Sequence, residues 1–151
     1  KFDPEGARKL LAEAGYPNGK GLPNVEILYN TNEAHRKIAV AVQQMWKANL
    51  NIDVTMVNQE WKVYLDNRDT LNYSVARAAW IGDYLDPDTF LNMFITGGGN
   101  NDTGWSNAEY DDLILRKIPA MKTHEERMAG FYQAETILLQ EMPIIPIYIY
   151  S

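Results

Sequence analysis

The order of its segments constrains this chain more than any other feature. Short β-branched and aromatic runs alternate with stretches whose apolar residues recur at helical spacing. Val25 to Tyr29 reads as a strand. Glu33 to about Asn49 reads as a helix, capped by Thr31 or Asn32, with Ile38, Val42, Met45 and Trp46 on its core face. Asn51 to Val57 sets Ile52, Val54 and Met56 against Asp53 and Thr55, the alternation of a half-buried strand. Trp61 to roughly Asn67 is a short helix, and Tyr73 to Trp80 is the next strand. Strand, helix, strand, helix, strand is the grammar of an α/β domain, and its middle crossover is expected to be right-handed.

The flanking segments are helical. Asp3 is a natural N-cap with Pro4 at the first helical position. Ala7, Leu10, Leu11 and Ala14 form one apolar face, and Gly15 can close the helix. Pro17 to Gly21 is a turn-rich loop. Asp86 can cap one or two helical turns reaching Phe94, with Pro87 first. Ile95 to Gly104 is the most loop-like segment. One further helix carries Tyr110, Leu113 and Ile114 and stops near Pro119. Another starts at Thr123, where Thr with Glu126 three positions on forms a capping box, and carries Met128, Phe131, Tyr132, Leu138 and Leu139. Ile144 to Tyr150 reads as a closing apolar strand, which Pro143 and Pro146 place at an edge or leaving the sheet. With no internal repeat and no linker, the expectation is one α/β domain over residues 1–151.

The 151 residues suffice for one core, since a chain of this size buries roughly 70% of its unfolded surface. A formal net charge of −6 argues against a nucleic-acid partner, because phosphates select basic faces. No stretch reads as a basic membrane-surface helix, and no apolar run is long enough to span a bilayer. The absence of Cys excludes disulfides, thiolate catalysis and Cys-based zinc sites. The opening Lys1-Phe2-Asp3, without signal peptide or initiator Met, is expected of a cut piece of a longer protein.

Catalytic and metal patterns are not found in the sequence. His35 and His124 have no acidic or His partner at ligand spacing. Gly97-Gly98-Gly99 lacks the Gly-Lys-Ser/Thr that completes a phosphate loop. Ser74 and Ser106 have no nucleophile-elbow context. Asp111-Asp112 and Glu125-Glu126 fall on helix surfaces as solvated faces or dipole partners. Neither an enzyme activity nor a metal or other cofactor is expected.

One run does carry chemistry. Tyr73 to Ile81 is β-rich and is broken by Gly82-Asp83, so Arg77, Trp80 and Asp83 are expected near one strand end. A cation, a flat indole and an anion so placed suit a zwitterionic organic ligand. The spacing alone fits an edge strand with a surface ion pair equally well. Asp83 has the stronger claim, because open α/β sheets bind ligands just past their strand ends.

The same residues carry a family likeness. Gln59-Glu60-Trp61-Lys62-Val63-Tyr64-Leu65-Asp66, followed by Ala76-Arg77-Ala78-Ala79-Trp80-Ile81-Gly82-Asp83-Tyr84, resembles the C-terminal lobe of the oligopeptide-binding proteins of ABC importers. The likeness begins at Asp3-Pro4-Glu5-Gly6-Ala7-Arg8-Lys9-Leu10-Leu11, runs through Tyr29-Asn30-Thr31-Asn32-Glu33-Ala34-His35 and ends at Glu141-Met142-Pro143-Ile144-Ile145-Pro146. It implies one lobe of a periplasmic-binding-protein-like fold, a mixed β-sheet flanked by helices, taken from a longer two-lobed receptor. It implies an oligopeptide ligand, the N-terminal lobe of the same receptor and an importer permease as partners, and an extracytoplasmic address in the periplasm or on a lipid anchor. By the same resemblance Asp83 receives a peptide's α-ammonium and Trp80 lines that pocket. Arg77 and Arg68 meet peptide carboxylates, Trp61 walls a side-chain pocket, and His35 meets a peptide C-terminus. Asp69-Thr70-Leu71-Asn72 departs from the family's glycine-containing turn, which bears on the reach of Arg68. A receptor for dipeptides or another small solute, and a small α/β hydrolase-like enzyme, are the alternatives.

Overall fold

The computed structural model describes residues 2–149. They fall into two compact units, one ending at Ala79 and the other beginning at Trp80.

The first unit contains the sheet. Its strands are β1 (Val25–Asn30), β2 (Val54–Gln59) and β3 (Val75–Ala76), in the order β2-β1-β3. Both pairings are parallel, with Val25 opposite Val54, Asn30 opposite Gln59, Ile27 opposite Val75 and Leu28 opposite Ala76. Ile27, Leu28 and Tyr29 are buried in succession. Such a run marks a central parallel strand covered on both faces. Helices α1 (Pro4–Glu13), α2 (Glu33–Leu50) and α3 (Trp61–Asp69) accompany the strands.

Local signals account for the helix ends. The Asp3 carboxylate accepts the Gly6 N–H at 2.9 Å. Asn32, rather than Thr31, caps α2, accepting from Ala34 N at 2.9 Å and His35 N at 3.3 Å. Asn51 closes α2 in the left-handed region, φ 56°, and its side-chain amide donates to Asn18 O at 3.0 Å. Gly19 sits against this corner at φ 72°, where a Cβ would lie 2.6 Å from Asn51 O. No residue with a side chain fits there.

The first core is built from Ile27, Tyr29, Ala39, Ile52 and Val54, with Leu11, Val42 and Trp46 packed against it. Three residues of the expected apolar faces are not inside, Leu10, Ala14 and Met45. Leu10 is 67% exposed and Met45 is 56% exposed. Helix α1 meets this core through Leu11, and α2 through the Ala39, Val42, Trp46 stripe, so the rest of each apolar face stays in water.

The strand expected from Tyr73 to Trp80 is confined to Val75–Ala76. One further bond, from Arg77 N to Leu28 O at 2.8 Å, ends the ladder. Strand β3 lies at the sheet edge, paired on one side by β1, and Ala78 and Ala79 beyond it are exposed. Their short side chains bury nothing that would hold a longer strand down.

The second unit is helical, with α4 (Asp88–Leu91), α5 (Ala108–Asp112), a π-helical turn (Leu113–Lys117), α6 (Ile118–Ala120) and α7 (His124–Glu141). Its core joins Leu91, Tyr110, Leu113, Ile114, Ile118, Phe131, Ala134 and Leu138. Tyr110 is fully buried, and its hydroxyl donates to Leu91 O at 2.5 Å. Burial raises its phenol pKa well above the ordinary value. Gly130 lets α6 approach α7, since a Cβ there would lie 2.7 Å from Ile118 Cγ1. Tyr132 and Leu139, expected on the core face of α7, are exposed. Its buried residues, Gly130, Phe131, Ala134 and Leu138, run along one ridge that leaves them outside.

The strand expected from Ile144 to Tyr150 is not found over residues 144–149, and Tyr150 lies outside the described residues. Among the described residues the second unit has no strand to pair with, and Pro143 and Pro146 offer no N–H to a ladder. Ile144 packs instead against the helical core.

The capping box of α7 forms as expected. Glu126 N donates to Thr123 Oγ1 at 3.2 Å, and Thr123 N donates to the Glu126 carboxylate at 3.1 Å. The backbone N–H groups of Thr123 and Lys122 hold the Glu126 carboxyl below its usual range. A depressed carboxylate contributes stability above its unfolded pKa, about 4.3, and loses it as pH falls through the folded value. Thr123→Ala will lower stability by about 1 kcal/mol in urea unfolding. Glu126→Gln will flatten the loss of stability on acidification below pH ~4.3. An acid limb identical to that of the unmodified chain would refute the second expectation.

Candidate ligand-binding site

Parallel strands β1 and β3 end at Asn30 and Ala76, and four of the six candidate residues gather around those ends in the first unit. His35 stands in the first turn of α2, with Nδ1 2.8 Å from Asn30 Oδ1. An amide oxygen only accepts, so Nδ1 carries the proton, and the neutral ring presents Nε2 as an acceptor. Burial, and then the charge of nearby Arg77, lower the imidazole pKa, while a hydrogen bond to Asn30 opposes them.

Arg77 is fixed through its backbone on both sides. Its N–H donates to Leu28 O at 2.8 Å, and its carbonyl accepts from the Tyr64 hydroxyl at 2.6 Å. The same hydroxyl accepts from Arg68 Nη1 at 3.2 Å. The Arg68 guanidinium carbon lies 5.4 Å from the Tyr64 ring centroid, within cation–π range. Trp61 also stacks on that ring, with centroids 5.5 Å apart and planes at 27°. Trp61 is 53% exposed, so the stack leaves much of the indole in water. Tyr64 therefore organises Arg77, Arg68 and Trp61, while His35 is held by Asn30 and feels the charge of Arg77.

Trp80 and Asp83 belong to the second unit. Asp83 is exposed, yet its backbone is held, since its N–H donates at 3.0 Å to the hydroxyl of Thr89, a buried residue. Gly82 beside it is closely packed, because a Cβ there would lie 3.0 Å from Phe90 Cζ. Asp86 secures the following turn, accepting from Asp88 N at 3.0 Å and Arg127 Nη2 at 2.9 Å. The Asp88 N–H, with Arg127 behind it, holds the Asp86 carboxyl below its usual range. Trp80 is half-buried, and its Nε1 is buried with no partner among the described residues.

The first constellation offers cations and an aromatic wall to an anionic organic group, and Asp83 offers a firmly mounted carboxylate to a cation. Among the described residues no group of three His, Asp or Glu is placed to hold a metal. An open hollow of about 420 Å³ beside Asp88, Asn92 and Ile114 includes none of the six candidates. Three contributors escaped the sequence reading: Tyr64, Asn30 and Thr89. Tyr64 had a signal, since it lies three positions after Trp61 and four before Arg68, on one face of α3. Asn30 and Thr89 act through tertiary contacts that no local pattern announces.

Cationic and aromatic side chains gather here at the ends of parallel strands, the place where open α/β sheets commonly hold ligands. The chain belongs to the bacterial extracellular solute-binding proteins, family 5, whose middle-region model matches residues 1–102. It is 45% identical over 145 residues, 96% of its length, to the periplasmic murein peptide-binding protein MppA of Escherichia coli K12. It is 44% identical over 144 residues to the oligopeptide-binding protein OppA of Bacillus subtilis 168. It spans 27% of the first relative and 26% of the second. The crystal structure of Haemophilus influenzae OppA in complex with RPPGFSPFR matches 97% of this chain and 29% of that one, with a TM-score of 0.91 and 44% identity.

The His35 imidazole will titrate below its ordinary value, about 6.5, in an NMR pH titration. Arg77→Gln will raise that midpoint by removing a like charge. Because the folded pKa is depressed, the neutral ring contributes stability above pH ~6.5 and loses it as pH falls toward the folded value. A midpoint at or above the ordinary value would contradict the geometry.

Proposed function

We propose that this chain is the peptide-binding lobe of a longer extracytoplasmic receptor, one that captures oligopeptides and delivers them to an ABC importer. The observation that carries the reading is the pairing of Arg77 and Arg68 on Tyr64, with His35 held by Asn30 at the same strand ends, in a chain of family 5. Peptides of different sequence share a backbone and two charged ends. A receptor that fixes the ends and the backbone gains affinity without reading side chains.

On this reading residues 1–151 form one lobe, and the N-terminal lobe of the same receptor closes on the ligand by hinge motion. Arg77, Arg68 and His35 receive carboxylates, while Asp83 receives the α-ammonium through a charge-assisted hydrogen bond. Trp61 and Trp80 give rigid apolar area to the walls of side-chain pockets. Bridging waters in such pockets bond nearly as well as direct contacts, so varied residues are accommodated. Nothing in this scheme makes or breaks a covalent bond, and the receptor is not an enzyme. The address is extracytoplasmic, in the periplasm or at a lipid anchor on the outer face of the membrane, and the permease of the importer is the second partner. The names of the relatives support the peptide class. One relative, 37% identical over 142 residues, carries the name of a probable deoxycholate-binding periplasmic protein from Escherichia coli K12, so a non-peptide anion is the competing reading.

Mass spectrometry of ligands that co-purify with the intact receptor decides between them, with peptides expected and a steroid acid or another solute overturning the reading. Asp83→Ala in that receptor will weaken binding of a short peptide by tenfold or more, about 1.4 kcal/mol per factor of ten. N-terminally acetylated peptides will bind the unmodified receptor poorly. Equal affinity for free and acetylated peptides would remove Asp83 from its assigned role.

A further inference from the structure

We propose that the Tyr64 hydroxyl is the positioning group of this site, presetting Arg68 and the Arg77 backbone so that the pair selects ligands with a free carboxylate. The inference rests on the peptide-receptor reading for its ligand class, and on geometry alone for the positioning.

Tyr64 is 1% exposed, so its phenol oxygen is shielded from water. Its one proton goes to Arg77 O at 2.6 Å, which turns its lone pairs toward Arg68 Nη1 at 3.2 Å. Arg77 N is already tied to Leu28 O, so the hydroxyl closes the second side of a residue anchored in the sheet. Arg68 has a long side chain with many rotamers, and a ligand that found it disordered would bear the cost of ordering it. The hydroxyl and the ring face together restrict it before any ligand arrives. The spacing Trp61, Tyr64, Arg68 places the wall, the hub and the cation on one face of α3, so a single buried ring sets the groups on either side of it.

A merely structural tyrosine would fasten α3 to β3 and do nothing selective. Tyr64→Phe separates the two roles, because it keeps the ring, and with it the Trp61 stack, and removes only the oxygen. In the 151-residue chain the variant will move the His35 titration midpoint, because the Arg77 backbone is released on one side. An unchanged midpoint overturns the positioning of Arg77. In the unmodified chain, the Arg68 guanidinium will show separate, slowly averaging Nη–H resonances at low temperature. A freely rotating Arg68 overturns the proposal without need of any variant, so a misfolded Tyr64→Phe protein does not shield it. In the intact receptor, Tyr64→Phe will lower affinity for peptides with a free C-terminal carboxylate by about fivefold to tenfold, the loss expected of a weakened charge-assisted bond. C-terminally amidated analogues, which lack that bond, will change by less than about twofold. In an Arg68→Gln background the same substitution will have a smaller effect on that ratio. Equal losses for free and amidated peptides overturn the selective role and leave Tyr64 a packing residue. A receptor that binds no peptide refutes the peptide reading instead, while the His35 and Arg68 measurements still decide the positioning.

Discussion

Strand β1 is the constraint on which the first unit depends. It is bonded to β2 along its whole length and to β3 at Ile27 and Leu28, and three of its successive side chains are buried. Parallel strands cannot be joined by tight hairpins, so helices must cross over between them. Those helices begin beside the strand ends. That is why His35, at the start of α2, and Trp61, at the start of α3, come to the same edge of the sheet as Arg77. The Asn30 side chain, at the last position of β1, then meets the imidazole, and the Leu28 carbonyl meets the Arg77 N–H. A single six-residue strand thus supplies the frame for most of the cationic constellation.

The electrostatics follow from which groups are held and which are left to solvent. The Arg68 side chain and the Arg77 backbone share one uncharged hub, the Tyr64 hydroxyl. A neutral oxygen orients a guanidinium without cancelling its charge. Burial, and after it the charge of Arg77, disfavour protonation of His35. Asp83 is mounted differently, by its backbone, with Thr89 gripping the N–H and the residue left exposed. In both cases hydrogen bonds hold a backbone group or a side chain in place.

What could be read from the sequence was local. Asp3 before Pro4, Asn32 before α2, and Thr123 with Glu126 announce helix starts because the capping bonds span only two or three residues. The strand–helix alternation revealed the sheet for a similar reason, since burial of Ile52 and Val54 is written in the period of their neighbours. What escaped depends on distant partners. Strand β3 stops at Ala76 although β1 runs on to Asn30, because the exposed Ala78 and Ala79 bury nothing, whatever the propensities of Tyr73 or Trp80. Leu10 and Met45 lie on well-formed apolar faces, but the core they meet is narrower than those faces. Ile144 to Ile149 has the composition of a strand and no strand beside it among the described residues. In the candidate site, the charged and aromatic residues stood out in the sequence by type and spacing. The neutral groups that orient them, Asn30, Tyr64 and Thr89, are common residues whose roles arise only from the fold.

The π-helical turn over Leu113–Lys117 has a consequence of its own. A turn closed by i→i+5 bonds holds one residue more than an α-turn. Tyr110, Leu113, Ile114 and Ile118 are all buried, so the turn lies within the core stretch of this segment. The extra residue widens the segment locally between α5 and α6. It also makes this short stretch a register buffer. A chain one residue shorter here could revert to an ordinary α-turn while Tyr110 and Phe131 keep their places on either side. A change of length at this point is thus absorbed by the helix itself, and the core around it is spared.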